Sequence, residues 1–384
     1  MKAGIIDVGG WQTDVCMKTG RKTLVRGNIA DIVRPILSNH RYPGDREPAA
    51  ITWVTDVAQD VVNLYHPDYL MLAYATPYFL RYNEGLSGKE WEDLTSQLLD
   101  RIGAFCESEG YCPVIVGTGG MVPYQGSIDL TGLSGLADAG GPVHHMAAVM
   151  DPTEQDYQYL SFHPHVTGVY TREELMETFL INPSKSRDIP DLLVIAQPGY
   201  NFKALGSFIR PCRYLSDQSE TIPVTGLGSS VHDITDISAG VLSSLESEKT
   251  ALVIIEGFGD SELSGHHVNN CDQWFRYTVS GEQYLAITTG MHISRQPWPP
   301  GYRGLLHDGM NNSYPLSGYI NQIPKGTIGN LCSCPSAAVG TRSIFTHISS
   351  GTDITIECKV CNQYNHGSMA ILSDRAVTEK DVRS

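Results

Sequence analysis

Continuous apolar runs that end at glycine or proline recur along this chain of 384 residues. Short apolar runs without polar alternation are typical of strands buried on both faces of a parallel sheet. These runs occupy residues 4–8, 68–74, 113–117, 191–196 and 251–255. The pattern therefore predicts that the five strands share one mostly parallel sheet with helices on both of its faces.

Helices are predicted between several of these runs. A helical stretch around residues 88–109 separates the second run from the third, and strand, helix and strand at this spacing predict a right-handed βαβ crossover. Residues 54–65 predict a further helix. The sequence TREEL predicts a short helix with Thr171 as its N-cap, because Glu174 stands three residues later and completes a capping box.

Composition and charge narrow the class of protein. Apolar residues make up 41% of the chain and charged residues 18%, which is typical of a globular protein that buries a sizeable core. The net charge of −15 and the lack of a basic run argue against a nucleic-acid partner. No apolar stretch reaches the roughly 18 residues of a membrane span, so we expect no membrane association. The first residues lack the apolar core of a signal peptide, so we expect a cytoplasmic location.

The segment 171–202 begins an ordered series of motifs. It reads TREEL, a spacer, and then DLLVIAQPGYNF, and it is followed by IPVTG and by ITDI at the start of a predicted helix. This order resembles the alkaline phosphatase superfamily, in particular its phosphodiesterase and phosphonoacetate-hydrolase branches. The resemblance implies an α/β fold, a three-layer αβα sandwich around a mostly parallel sheet.

The motifs stand in an exchanged order along the chain. ALVIIEGFGD at residues 251–260 resembles the opening strand of the family, where an aspartate binds metal and this chain has Glu256. Residues 275–290 resemble the nucleophile helix, with Ser280 near the nucleophile position and Thr278 beside it. The second half of the family therefore matches residues 60–246 and the first half matches 251–300. We expect a circularly permuted core over residues 1–300 and a small Cys-rich β lobe over 301–384.

The resemblance also implies a metal-dependent chemistry, but this chain lacks most of the residues that bind the metal ions in the family. In the family, two metal ions and a Ser or Thr nucleophile transfer phosphoryl or sulfuryl groups. Carboxylates and imidazoles should stand at the metal-binding positions, which here are Pro77, Arg81, Thr118, Gly119 and Phe208. Other possible sources of ligands are Asp7, Asp14, Asp260, His266, His267 and His292. We therefore expect no pair of catalytic metals to bind, and we expect Arg81, Thr118, His266 and His267 to contact a ligand.

Three functions remain open at this point. The first is a pseudoenzyme that binds a small molecule or a protein partner. The second is a hydrolase or transferase for a phosphate- or sulfate-containing substrate, with Ser280 or Thr278 as nucleophile and Glu256 nearby. The third is an actin-like ATPase, because Asp7, Gly9 and Gly10 at the end of the first strand are similar to the first phosphate loop of that superfamily.

Two close pairs of cysteines stand in the last segment of the chain. Cys332 and Cys334 form a C-x-C pair, and Cys358 and Cys361 form a C-x-x-C pair. Two such pairs on turns can close a tetrahedral zinc site, which would stabilise a small lobe without a core of its own. Disulfides or four reduced thiols are the alternatives.

Overall fold

The structure is a computed structural model that describes the chain in separate ranges. These are residues 3–7, 35–36, 38–41, 43–44, 46–139, 145–179, 189–203, 212–279, 281–295, 336–339, 354–357 and 370–372.

Strands are numbered in chain order. Among the described residues, the largest sheet has nine strands in the order β14 (His266–Asn269), β12 (Thr221–Thr225), β3 (Cys112–Gly117), β13 (Thr250–Ile255), β2 (Tyr69–Tyr74), β1 (Ala3–Asp7), β17 (Ser336–Val339), β18 (Ile354–Glu357) and β19 (Ala370–Leu372). A second sheet contains β6 (Leu136–Ala139), β7 (Met146–Met150), β9 (Leu192–Ala196) and β8 (Val166–Thr171). Three two-stranded sheets pair β4 (Met121–Pro123) with β11 (Tyr214–Ser216), β5 (Gly126–Ile128) with β10 (Tyr200–Phe202), and β15 (Cys271–Asp272) with β16 (Phe275–Arg276).

The helices that the structure describes connect and cover these strands. They are α1 (Ala49–Tyr65), α2 (Thr76–Phe79), α3 (Gly88–Glu109), α4 (Glu154–Ser161), α5 (Arg172–Thr178), α6 (Asp236–Ser244) and α7 (Gly281–Thr289). A π-helical turn over Leu80–Glu84 extends α2, and a 3₁₀ turn over Ile293–Arg295 follows α7.

Four of the five predicted parallel strands lie side by side. β3, β13, β2 and β1 are parallel neighbours, and Ile255 of β13 lies opposite Tyr74 of β2 and Gly117 of β3. All six residues of β13 are buried, as the unbroken apolar run predicts. The segment from β2 to β3, which contains α2 and α3, connects two parallel strands of one sheet, because both strands run parallel to β13 between them.

The prediction for the strand at 191–196 is wrong. β9 lies in the separate four-stranded sheet, where it pairs antiparallel with β7 and β8. This sheet has its own apolar core, in which Val194 and Ala196 pack with Val149 and Phe202. A short apolar run fits any well-covered strand, so the run alone did not reveal which sheet it would join.

The nine-stranded sheet is mixed and is covered by helices on both faces. β12 runs antiparallel to β3 and β14, and β19 runs antiparallel to β18. One face packs against α1 and α3, and the other against α6 and α7. The chain therefore has an α/β fold with a mixed sheet.

The predicted capping box at Thr171 is confirmed. Its hydroxyl accepts a bond from the amide of Glu174 at 3.3 Å, and the Glu174 carboxylate accepts the Thr171 amide at 2.7 Å. A second capping box, between Thr153 and Asp156, begins α4. Each box satisfies two amides that a helix start leaves without partners.

Across the described part of the chain, no helix combines the length and the apolar character that crossing a membrane requires.

Candidate functional site

Buried polar side chains gather where the central parallel strands end. The carboxyl ends of parallel strands are the usual place for ligand sites in α/β sheets. The loops after β2, β3 and β13 meet there, and α7 packs beside them. We define the carboxyl-end cluster as six buried residues: Thr76, Thr118, Glu256, Asn270, Gln283 and Tyr284.

Glu256 directly follows β13 and is completely buried. Its amide donates to the carbonyl of Tyr74 at 3.0 Å, which continues the ladder between β13 and β2. Its carboxylate accepts a 2.9 Å hydrogen bond from the hydroxyl of Tyr284 on α7. Glu256 therefore links the end of the sheet to the helix that covers it.

Thr118 directly follows β3, and its polar atoms bind neighbouring segments. Its hydroxyl accepts from the amide of Gly257 at 3.0 Å, and its carbonyl accepts from the side-chain amide of Gln283 at 3.0 Å. The same amide group of Gln283 also lies 3.1 Å from the side-chain oxygen of Asn270. These bonds join the ends of β3 and β13 to the start of α7.

The predicted nucleophile segment lies over this cluster. Asn270 donates to the carbonyl of Tyr277 at 2.9 Å, so the residue before Thr278 is fixed to the network. Val279 packs against Tyr78 and Met121 at the ends of the central strands. The structure thus brings Glu256, Thr118 and the chain around Thr278 together, whereas Ser280 lies outside the described residues.

Arg81 lies near these loops and forms an ion pair with another residue of the protein. Its guanidinium is 3.2 Å from the carboxylate of Glu262 and lies over the rings of Trp91 and Tyr214, at 4.5 and 4.8 Å from their centres. Burial raises the pKa of Glu262, but hydrogen bonds from Trp91, Ser261 and Gly259 and the charge of Arg81 outweigh it and lower the pKa. The arrangement is an ion pair that joins the turn after α2 to the loop after β13.

The two predicted histidines lie on β14 at the side of the sheet. His266 pairs with Val224 of β12, and β12 and β3 both stand between β14 and β13. His267 is exposed and lies 3.6 Å from the carboxylate of Asp260. Neither histidine is within the hydrogen-bond network of Glu256 described above.

Asp217 is a residue of this region that the sequence analysis missed. Its carboxylate lies so close to the turn after β3 that a methyl group at Gly120 would come within 2.7 Å of it. The neighbouring Gly119 has φ of +101°, a left-handed conformation that favours glycine. Because Gly119 and Gly120 have no side chains, Asp217 can lie close to the end of β3. The sequence around Asp217 contains no motif, so this contact could not be predicted from it.

A cleft opens between the four-stranded sheet and the β14–β16 side of the molecule. Its volume is about 480 Å³, and we call it the Trp274 cleft. It is lined by His145, Met146, Thr167, Tyr170, Ile195, Gln218, Glu220, Thr221, Asn269, Cys271, Gln273, Trp274, Phe275 and Arg276. Trp274 stacks on Tyr170 with ring centres 3.7 Å apart and donates its indole N–H to Thr178 at 2.8 Å, so the two sides of the cleft are held together.

A histidine–aspartate pair lies beside the end of α7. Nε2 of His292 is 3.3 Å from the carboxylate of Asp233, and Nδ1 is 3.2 Å from the hydroxyl of Tyr277. Hydrogen bonding to Asp233 raises the pKa of His292, even though burial opposes this. Burial raises the pKa of Asp233, but hydrogen bonds from His292, Asn269 and Thr235 outweigh it and hold the pKa well below its usual range.

Two of the residues that the sequence analysis placed at metal positions, Thr118 and Arg81, have partners within the protein. Thr118 uses its hydroxyl oxygen on a backbone amide, and Arg81 brings a positive charge that Glu262 already neutralises. Within the described ranges, no three His, Cys, Asp or Glu side chains form a group that could hold a metal ion. Cys332, Cys334, Cys358 and Cys361, as well as Phe208, Gly9 and Gly10, lie outside those ranges.

Comparison with known proteins gives few matches. No family model and no curated protein matches the chain. Among solved structures it is similar to the phosphonoacetate hydrolase of Sinorhizobium meliloti 1021 in complex with phosphonoformate, with 15% identity and a TM-score of 0.40. The complex of that enzyme with phosphonoacetate gives 15% identity and a TM-score of 0.39. In both cases the match covers 56% of this chain and 62% of the hydrolase.

Proposed function

We propose that this protein is a binding protein that takes a small ligand in the Trp274 cleft. The observation that carries the proposal is the cleft itself: its volume of about 480 Å³ lies within the range of roughly 300–1,000 Å³ that small-molecule sites occupy. Its lining combines aromatic rings with amide, hydroxyl and charged groups, as ligand sites do.

The contacts of the carboxyl-end cluster support this choice of site. Glu256 and Thr118 of the cluster, and Arg81 near it, each bind another part of the chain, so a ligand at this place would have to break these contacts. We propose that the cluster stabilises the junction of the sheet with α7, while ligand binding takes place at the cleft.

Ligand-detected NMR with a fragment library tests the proposal. Thr167 is exposed at the cleft, so Thr167→Trp fills the cleft without disturbing the core. We expect the bound fragments to be lost in Thr167→Trp and retained in Thr131→Trp, a matched substitution at an exposed turn outside the cleft. Fragments that bind both variants equally would show that the ligand site is elsewhere.

A second candidate function is hydrolysis or transfer of a phosphate or sulfate ester. It is favoured by the network that holds the chain around Thr278 over Glu256 and Thr118. Assays with 4-nitrophenyl phosphate, its diester and 4-nitrophenyl sulfate decide between the two functions. We expect no turnover, and a turnover that disappears in Ser280→Ala or Thr278→Ala would establish the enzyme instead.

We also propose that the chain is a divergent, circularly permuted relative of the alkaline phosphatase superfamily with a three-layer αβα core. Support comes from β13, which lies beside β2 in one sheet as the exchanged order of motifs requires. In an experimental structure, residues 251–300 and 60–246 should overlay the first and second halves of a family member. An overlay in unexchanged chain order would overturn this proposal.

The four C-terminal cysteines are proposed to bind one structural zinc ion, and thiolate ligands fit the expected cytoplasmic location. Elemental analysis should find about one zinc per chain in the native protein. The zinc should be absent from Cys358→Ser. Mass-spectrometric detection of disulfides between these cysteines would replace the zinc site with a covalent one.

A further inference from the structure

One ion pair stands at the Trp274 cleft, between Arg276 of β16 and Glu220 just before β12. A guanidinium nitrogen of Arg276 contacts the Glu220 carboxylate. The side chain of Arg276 is 38% exposed and that of Glu220 is 68% exposed. Exposed ion pairs contribute little to stability because water solvates both partners well, so this carboxylate is readily exchanged for another.

The backbone of Glu220 is held by contacts that do not involve its carboxylate. Its carbonyl accepts the amide of Asn270 at 2.7 Å and lies 3.6 Å from the thiol of Cys271. The carboxylate can therefore turn into solvent while the chain around it keeps its place. Arg276 would then present its guanidinium to the cleft without any rearrangement of the sheet.

Three of the other donors in the cleft, those of Asn269, Thr167 and Trp274, are already used within the protein. The side-chain amide of Asn269 donates to Asp233 at 2.6 Å and to Cys271 at 3.0 Å, and Thr167 donates to the carbonyl of Ile195 at 3.3 Å. Trp274 donates its indole N–H to Thr178. Among the residues that line the cleft, all of which the structure describes, Arg276 is the one permanently charged cation. A charge-assisted contact with Arg276 is available to a ligand that carries a negatively charged acceptor group.

The rest of the lining suits a planar apolar group. Tyr170, Trp274 and Phe275 contribute aromatic surface next to Arg276, and Met146 and Ile195 contribute aliphatic surface. Aromatic side chains bind planar rings through stacked or edge-to-face contacts. The contact that Arg276 makes in this structure is with a carboxylate, which shows that a carboxylate fits its position.

We infer that the Trp274 cleft binds a small aromatic carboxylate, whose carboxylate replaces that of Glu220 on Arg276. Glu220 competes with the ligand for Arg276. Its negative charge balances the positive charge of Arg276 when no ligand is bound. This inference rests on the proposed function, because it names the class of ligand for the same cleft. The ligand carries a single negative charge, which suits a chain whose net charge is −15 better than a multiply charged anion does.

The inference predicts that substitutions of Arg276 and of Glu220 change the affinity for the ligand in opposite directions. Isothermal titration calorimetry should detect binding of benzoate or phenylacetate to the native protein. Arg276→Gln should weaken this binding by about tenfold or more, since a charge-assisted contact is lost. Glu220→Gln should strengthen it by about threefold to tenfold, because the competitor is removed while the side chain keeps its shape.

The control is Arg101→Gln, which breaks an ion pair with Asp56 on the α1–α3 face. Arg101 is 39% exposed, close to the value for Arg276. The substitution Arg101→Gln should leave the affinity for benzoate unchanged. Circular dichroism of all three variants should match that of the native protein.

Several outcomes would overturn the inference. One is that Arg276→Gln and Glu220→Gln weaken the binding of benzoate equally. Another is that neither benzoate nor phenylacetate binds to the native protein or to Glu220→Gln. Binding of neutral benzamide or of doubly charged phenyl phosphate as tightly as benzoate would also overturn it. If benzamide binds and Thr167→Trp blocks it, the class of ligand is wrong but the cleft remains the binding site. If benzoate binds Thr167→Trp unchanged, the proposed function itself fails.

Discussion

Tyr284 donates a 2.9 Å hydrogen bond to the carboxylate of Glu256, and neither side chain is reached by solvent. The bond crosses from the end of the central strand β13 to α7, so it fastens the helix to the sheet. A buried carboxylate is costly when it loses a donor, because no water replaces the lost bond.

We therefore expect Tyr284→Phe to lower the free energy of unfolding by about 1–3 kcal/mol. Urea denaturation monitored by circular dichroism measures the change. Tyr159→Phe is the control, since Tyr159 is 48% exposed and its substitution should change the stability by less than about 0.5 kcal/mol. Equal effects of the two substitutions would mean that the bond to Glu256 contributes nothing.

The Asp233–His292 pair predicts a pH dependence of stability. The folded-state pKa of His292 is raised, so its contribution is complete below the unfolded value of about 6.5 and is lost as pH rises through the folded value. The pKa of Asp233 is lowered, so its contribution is present above the unfolded value of about 3.9 and is lost as pH falls. The pair should stabilise the fold most between about pH 4 and 6.5.

Thermal denaturation of native protein and His292→Gln across this range tests the prediction. We expect the variant to be less stable by about 1 kcal/mol near pH 5.5, with a smaller difference at pH 9. A constant difference at all pH values would show that His292 contributes by packing alone.

Because Asp217 lies close to the turn after β3, we expect alanine to destabilise the protein at Gly120 but not at Gly103. Gly120→Ala places a methyl group 2.7 Å from the Asp217 carboxylate and should cost about 1–3 kcal/mol. Gly103→Ala, in the middle of α3 with no atom beyond its neighbouring helical backbone within 4 Å of the new methyl group, should stabilise by about 0.5–1 kcal/mol. Chemical denaturation compares the two variants. The double variant Gly120→Ala, Asp217→Ala should recover part of the loss, and strict additivity would show that the two residues do not collide.

The buried pair of Arg81 and Glu262 should be far more sensitive than an exposed pair. Removal of one partner leaves a charge without compensation, so we expect Arg81→Met to cost about 3–5 kcal/mol. Arg46→Met, whose side chain is 57% exposed and whose partner Glu84 is 50% exposed, should cost less than about 1 kcal/mol. Chemical denaturation of both variants gives the comparison, and a loss below about 1 kcal/mol for Arg81→Met would contradict a structural role for this residue.

Local signals in the sequence predicted local structure well. The capping box at Thr171 depends on two residues three positions apart, and the burial of β13 follows from its own composition, so both could be inferred without tertiary information. The sheet to which β9 belongs depends on partners from distant segments, and its apolar run fits either sheet equally well.

Most of the candidate site depends on contacts between segments that are far apart in the chain. Glu256 and Thr118 were expected at the ends of strands, and they lie there, but the donors Tyr284 and Gln283 had no motif that distinguished them. The Trp274 cleft was not predicted, because it forms where Tyr170 of one sheet meets Trp274 of a hairpin. Residues of that kind become recognisable only when the fold places them side by side.

The central position of β13 has a consequence for how the protein is made. β2 and β3 are complete once residue 117 has been synthesised, but the strand that pairs with both of them spans residues 250–255. On the ribosome, each strand must therefore wait with an unpaired edge, and exposed edges of this kind invite aggregation. Pulse-labelled hydrogen exchange during refolding should show β2, β3 and β13 gaining protection in one step, whereas earlier protection of β2 and β3 would contradict this. Because β13 pairs with both β2 and β3, we expect a nascent chain that stops before residue 250 to keep both of these edges exposed and to need protection from aggregation.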